Sequence, residues 1–285
     1  MVPQTINFWL DEHTEIFMKQ RKWLDKNHPQ NRTADPEHPP KTAYFGYEKI
    51  SEDKKAQRVL QHFNSVAQRY DLMNTLLSFG IHHLWKRTAV KTMTLKPGDR
   101  VLDVCGGTGD LAILAAETVG ESGRVIIYDI NRAMIDAGLH KVNHSASRQR
   151  IGFIQGDAEQ LPFPDRYFDA AMVGFGIRNV TRMDQGFKEM CRVLKPGGKM
   201  MCLEFSKPTA PLFRWLYDIY SFHVMPPLGE LIVGSRKAYM HLPESIRTFA
   251  LPDELTALLK RVGFSQVTEH KLTNGIAMIH LAVKG

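Results

Sequence analysis

The chain has 285 residues, is 43% hydrophobic and carries a formal net charge of +7. That length and composition suit one large globular domain with an extension. No apolar run approaches the ~18 residues needed to cross a bilayer. The N-terminus has neither a secretory nor a transit pattern, and Cys105, Cys191 and Cys202 stand too far apart for a CxxC site or a disulfide framework. The expected setting is a reducing cytoplasm. Residues 1–50 hold seven Lys/Arg against seven Asp/Glu, so the basic excess lies in residues 51–285. Such an excess can attract nucleic acid, anionic lipid or an anionic small molecule. No Lys/Arg block with interleaved aromatics occurs, so no nucleic-acid partner is expected.

In chain order, TINFWLDEHTEIFMKQRKWL places Ile6, Trp9, Leu10, Ile16, Phe17 and Leu24 at helical steps, and predicts an amphipathic helix over 5–24. The proline-rich stretch NHPQNRTADPEHPPKTA then reads as a linker, so residues 1–43 form an appended arm. From Ser51 to about Met93 the pattern is helical, with Val59, Leu60, Phe63, Val66, Ala67 and Tyr70 in one stripe and a break at LSFGI. From Asp99 the period changes. RVLDV, GRVIIYDI, IGFIQGD, FDAAMVGF and KMMCLEFS read as five strands, with helices after the first two and DQGFKEMCRVL plus a KPGG turn before the last. This alternation predicts an α/β fold with a parallel, doubly wound sheet. SQVTEHKLT, an NG turn and IAMIHLAVK predict a closing antiparallel hairpin. An aromatic-rich insertion, about 208–250, lies between the fifth strand and that hairpin.

The segment DVCGGTGD (Asp103–Asp110) joins the first strand to its helix. Glycines in such a turn let ligand and backbone touch, and the helix that follows offers free N–H groups. Gly107 to Ala112 fits G-x-G-x-x-A, so a dinucleotide is admissible on that motif alone. Asp103 shifts the balance to S-adenosylmethionine: a carboxylate beside Gly106, Gly107, Thr108 and Gly109 repels a pyrophosphate but suits the ammonium of a methionine moiety. Asp129, ending the second strand, accepts ribose hydroxyls in either cofactor. Asp157 and Ala158, after the third strand, provide a polar group for an adenine amino group. Cys105 stands where many such turns carry glycine.

Longer motifs resemble the UbiE-type ubiquinone/menaquinone C-methyltransferases. YDLMNTLLSFGIHHLW (Tyr70–Trp85) and RVLKPGGKMMCLEFS (Arg192–Ser206) are similar to that family's signatures, as are FGIRNV (Phe175–Val180) and FGYEKIS (Phe45–Ser51). The resemblance spans about residues 44–285. It implies a class I, Rossmann-like S-adenosylmethionine-dependent methyltransferase domain over 44–285, with the insertion as a helical lid. It further implies methyl transfer to a ring carbon of a polyprenylated quinol in respiratory quinone biosynthesis. The family's cofactor contacts fall on Thr108, Asp129, Asp157 and Ala158, and another falls on Gly174, where relatives often carry serine.

Carbon methylation needs a nucleophilic ring carbon, which a quinol offers once its adjacent hydroxyl loses a proton. A phenolic hydroxyl titrates near ~10 and needs help at neutral pH. Arg178 is expected to stabilise the phenolate or orient a water, because a guanidinium does not act as a base. Asn179 would position the hydroxyl, and Tyr70 and Tyr220 would border the ring. His82, His83 and His223 are the candidate proton acceptors, with His223 first in line. No metal is expected. The partners expected are the quinol, the inner face of the cell membrane through a loose contact of the insertion, and a second copy in a homodimer.

Overall fold

The computed structural model describes residues 42–234 and 236–285. The helix expected over 5–24 and most of the linker after it lie outside the described residues. The description begins with a short antiparallel hairpin, β1 (Thr42–Phe45) and β2 (Glu48–Ser51), turning at Gly46 with φ +59°. Three helices follow: α1 (Glu52–Val66), α2 (Tyr70–Leu77) and α3 (Ile81–Thr92). The expected break at LSFGI is real, with Phe79 and Gly80 both at positive φ.

Five parallel strands then build the sheet: β3 (Arg100–Val104), β4 (Arg124–Asp129), β5 (Ile151–Gln155), β6 (Phe168–Gly174) and β7 (Leu194–Phe205). Between them run α4 (Asp110–Val119), α5 (Arg132–Asn143) and α6 (Met183–Val193). The insertion forms α7 (Pro211–Ile219), a π turn (Tyr220–Val224), α8 (Met225–Val233) and α9 (Arg236–Thr248). After α10 (Pro252–Arg261), the expected hairpin β8 (Phe264–Leu272) and β9 (Ala277–Lys284) completes a seven-stranded sheet ordered β5-β4-β3-β6-β7-β9-β8. Strand β9 runs antiparallel to β7.

Alternation along the strands explains the two cores. Leu102 and Val104 of β3 face one core with Ile126, Tyr128 and Phe187, while Val101 joins Val125, Ile127, Trp85 and Ala115 on the other. Both faces are covered, as a parallel sheet requires. A third, smaller core of Val66, Met73, Leu77, Met225 and Tyr239 ties α1 and α2 to the insertion, which is therefore a lid packed on the N-terminal helices.

The KPGG segment differs from a simple turn. Leu194 pairs with Phe168, and pairing resumes at Lys199 with Ala170, so KPGG bulges out of one continuous strand. Gly197 at φ +73° supplies the left-handed residue that such a bulge needs.

The chain leaves the sheet edge at β5 and returns on the other side of β3 as β6. That reversal opens a crevice beyond the C-terminal ends of β3 and β6, where open α/β sheets bind ligands.

Candidate active site

A cavity of about 380 Å³ fills this crevice. Its floor is the glycine turn. Gly107 lies at φ +52°, and a Cβ there would come within 3.0 Å of Met134 Cε. Gly109 caps α4 at φ +82°, where a Cβ would meet Ile127 at 2.8 Å. Cys105 holds a left-handed φ of 54° despite its side chain, a strain typical of functional turns. The roof is α1, which contributes Leu60 and Phe63. Asn131 binds roof to floor: its Nδ2 donates to Leu60 O at 3.2 Å and Asn64 Oδ1 at 2.9 Å, while its Oδ1 accepts the Met134 N–H. Sequence reasoning missed Asn131. Its position just after an acidic strand end and at a helix start was the available signal.

Most of the expected residues converge here. Asp103, Gly106, Gly107, Thr108, Asp129, Asp157, Ala158, Gly174, Asn179 and Tyr70 all line the cavity. Gly109 stands behind the lining as the helix cap. Arg178 is not among the residues that line the cavity; it lies next to Phe175 and Asn179, which are. Tyr220 packs in the lid core and donates to Leu77 O at 2.8 Å. His223 lies outside the cavity, because the π turn puts it on the exposed side of the lid. His82 is not itself a lining residue; it packs beside His83 and Thr75, and burial followed by the Lys86 charge lowers its pKa to about 4.

The polar groups have distinct states. Asp129 Oδ2 accepts the Gly107 N–H at 2.9 Å and Oδ1 the Asn131 N–H at 2.8 Å, which fixes the carboxylate and leaves each oxygen a further lone pair. Burial pushes its pKa up to about 6 against those N–H groups. Asp103 is fully buried with no close hydrogen-bond partner for either oxygen among the described residues, and burial together with the Asp129 charge holds its carboxyl well above the usual range against the Ala112 N–H. One Asp157 oxygen accepts the Glu159 N–H at 2.9 Å. Thr108 Oγ1 donates to Asp71 Oδ1 at 2.7 Å, and Lys141 bridges Asp71 and Asp110. Burial raises Asp110, but Lys86 and Lys141 outweigh it and hold the carboxyl well below its ordinary range. This network latches α2 to the glycine turn.

At the lid side, Arg178 is almost wholly buried. Its Nη1 donates to Glu204 Oε1 at 2.7 Å and to Phe175 O, its Nε to Ser245 Oγ at 3.3 Å, and its guanidinium lies 5.4 Å from the Phe205 ring centre. The two N–H groups of Nη2 carry no bond among the described residues. Glu204 is the partner that the sequence did not reveal.

These residues fit S-adenosylmethionine. An unpartnered buried carboxylate suits an ammonium, and a rigid strand-end carboxylate suits a ribose diol. A floor without Cβ atoms admits the ligand against the backbone. Binding should therefore tighten as pH rises. Below about pH 6 Asp129 is protonated in the free protein, whereas hydroxyls donating to it favour the ionised form. Affinity is expected to rise with pH toward about 6 as Asp129 ionises, and to go on rising above it while the raised Asp103 carboxyl still ionises to meet the ammonium. Calorimetry over this range checks the trend.

Fold and site together define a class I S-adenosylmethionine-dependent methyltransferase. The fold is shared with the [4+2]-cyclase SpnF (TM-score 0.57, 18% identity, 80% of this chain and 95% of that one). It is shared also with an S-adenosylmethionine-dependent methyltransferase from Thermotoga maritima (TM-score 0.54, 19% identity, 80% and 100%). A cyclase on this scaffold shows that fold alone does not fix the reaction. Sequence narrows it: the chain belongs to the ubiE/COQ5 methyltransferase family, which matches residues 51–284. It is 44% identical to the ubiquinone/menaquinone biosynthesis C-methyltransferase UbiE of Pseudomonas paraeruginosa, over 85% of this chain and 95% of that one. It is 45% identical to the same-named protein of Pseudomonas entomophila, over 87% and 97%.

Proposed function

We propose that the protein transfers a methyl group from S-adenosylmethionine to a ring carbon of a polyprenylated quinol, of the demethylmenaquinol or methoxy-benzoquinol class. The observation that carries this reading is Arg178, buried against Glu204 between Ser245 of the lid and Phe175 of the cavity lining. Bound S-adenosylmethionine supplies an electrophilic methyl. Asp129 would hold its ribose, Asp103 its ammonium, and Asp157 and Ala158 its adenine. Arg178, whose Nη2 carries no bond among the described residues, would donate to the oxygen where charge develops as the ring carbon becomes nucleophilic. Because Glu204 offsets much of its charge, Arg178 acts chiefly through directed hydrogen bonds. Asn179, whose Nδ2 is buried without a partner, orients the same hydroxyl. Mass spectrometry of lipid extracts from a strain lacking the protein tests this reading. Accumulation of a demethylated quinone would name the ring, and an unchanged quinone pool would remove quinols as the substrate.

The lid also supports contact with a bilayer. Among the described residues no helix is long and apolar enough to cross a membrane. Helix α7 nevertheless exposes Leu212, Phe213, Trp215 and Leu216, and Phe79 is 86% exposed. This apolar surface and the basic excess suit the surface of an anionic bilayer, where a polyprenyl tail resides. Flotation with anionic vesicles should show binding that weakens at high salt and falls on Trp215→Ser. No binding at either ionic strength would make α7 an ordinary lid. The arm expected over 1–43 is proposed to be dispensable for turnover, a role checked by deleting it as far as the hairpin that begins at Thr42.

A further inference from the structure

Two histidines that the catalytic account leaves unused stand beside Arg178. His62 on α1 and His241 on α9 approach with ring centres 5.1 Å apart, at 64° to one another. Phe45 of the hairpin stacks on His241 at 3.8 Å. Ser245, one helical turn after His241, binds Arg178 Nε, so His241 shares the helix face that meets the guanidinium. On the other side, Phe63 follows His62, packs edge-on against its ring and lines the cavity together with Tyr70.

His241 is 8% exposed, and neither Nδ1 nor Nε2 has a hydrogen-bond partner among the described residues. A neutral imidazole carries one donor and one acceptor, and leaving both buried and unmet is costly unless a ligand meets them. The charged groups acting on the pair are Arg178, whose own partner is Glu204, and Lys55, which donates to Val180 O. Burial and Arg178 lower His62 to about 4, while burial, His62, Arg178 and Lys55 lower His241 to about 3. Both rings are neutral at pH 7, with a lone pair available.

We propose that His62 and His241, packed behind the lining residue Phe63 rather than in the lining itself, form the proton-accepting pair for the quinol hydroxyl beside Arg178. The inference rests on the quinol reading above. The hydroxyl O–H breaks and its proton passes to an imidazole nitrogen as the ring carbon bonds to the methyl and the S–CH₃ bond breaks. The ring then loses its C–H proton to regain aromaticity, and the oxygen takes back a proton from the imidazolium. One proton is released overall, with no net oxidation. The pair stays neutral until a phenolate forms beside it, and that anion then supplies the countercharge that imidazolium needs.

The test is single-turnover methyl transfer to a short-tailed demethylnaphthoquinol under reducing conditions, from about pH 6 to 9. Wild type is compared with His241→Phe and His62→Phe, which keep a ring, and with His241→Gln. Wild-type rates should stay nearly flat. His241→Phe should be about a hundredfold slower near pH 7 and recover by roughly tenfold per pH unit, as the hydroxyl ionises unaided. S-adenosylmethionine affinity, read by calorimetry, should hold. Histidine ¹⁵N resonances of the wild type should report a neutral His241 ring that shifts when the unmethylated quinol is added without S-adenosylmethionine. If His241→Phe fails to bind S-adenosylmethionine, His241→Gln and the ¹⁵N titration decide. Rates running parallel to wild type at every pH, or ring nitrogens that ignore the quinol, would overturn the pair. A wild type that methylates no quinol would instead overturn the functional reading beneath it.

Discussion

Arg178→Met is expected to lower stability by about 3–5 kcal/mol, the cost of stranding one partner of a buried ion pair. Glu204 has a side chain only 2% exposed, and its Oε2 already lacks a partner, so the carboxylate left behind has no second cation to turn to. Adding Glu204→Gln should recover much of that loss, because the stranded charge is gone. Turnover behaves differently. If Arg178 donates to the developing phenolate, the double variant stays about a hundredfold slow, the scale of losing one transition-state donor. S-adenosylmethionine affinity should change little in it, since none of the groups facing the ribose or ammonium is altered. Denaturation curves and turnover of the single and double variants separate the two effects. A double variant that regains both stability and turnover would reduce Arg178 to a structural residue.

Asp129→Ala is expected to weaken S-adenosylmethionine binding by at least ~1.5–3 kcal/mol, the worth of charge-assisted hydrogen bonds. That is roughly ten- to a hundredfold in Kd. The loss extends beyond the ribose, because Gly107 and Asn131 would both lose the acceptor that fixes the glycine turn. Asp129→Asn keeps the size and one acceptor oxygen, so it should bind better than alanine. It should also make the gain in affinity toward pH 6 shallower, since of the two raised carboxyls only Asp103 still titrates. Calorimetry on both variants measures this. A folded alanine variant with wild-type affinity, or a pH trend in Asp129→Asn as steep as in wild type, would take Asp129 out of the binding role.

The parts legible in the sequence are those set by local pattern. Alternating apolar strands, the Asn274-Gly275 hairpin signal and the Phe79-Gly80 break each act over a few residues, and each stands in the structure. The glycine turn likewise announced the crevice, because only a ligand or close packing asks for so many missing Cβ atoms. The KPGG bulge was read as a turn since its glycines carry the same signal in either setting, and only the pairing partner Phe168 tells them apart. The hairpin at Thr42–Ser51 escaped because four-residue strands show too short a period. Pairings over long sequence distances were invisible. Glu204 sits in an apolar strand with nothing nearby to mark it as the Arg178 counter-ion, 26 residues away. His62 and His241 meet only because the lid folds back on α1, whereas His223, the more conspicuous histidine in the lid's aromatic run, turns outward on the π turn.

The central claim is that a carbon of a quinol ring receives the methyl. The most direct test incubates the purified protein with S-adenosylmethionine carrying a CD₃ group and a reduced, short-tailed demethylquinol, and follows the product by NMR and mass spectrometry. The account predicts one CD₃ group on ring carbon, loss of the ring C–H signal beside the hydroxyl, and both hydroxyls retained. A CD₃ group on oxygen, or no transfer to the quinol by a protein that binds S-adenosylmethionine, would contradict it.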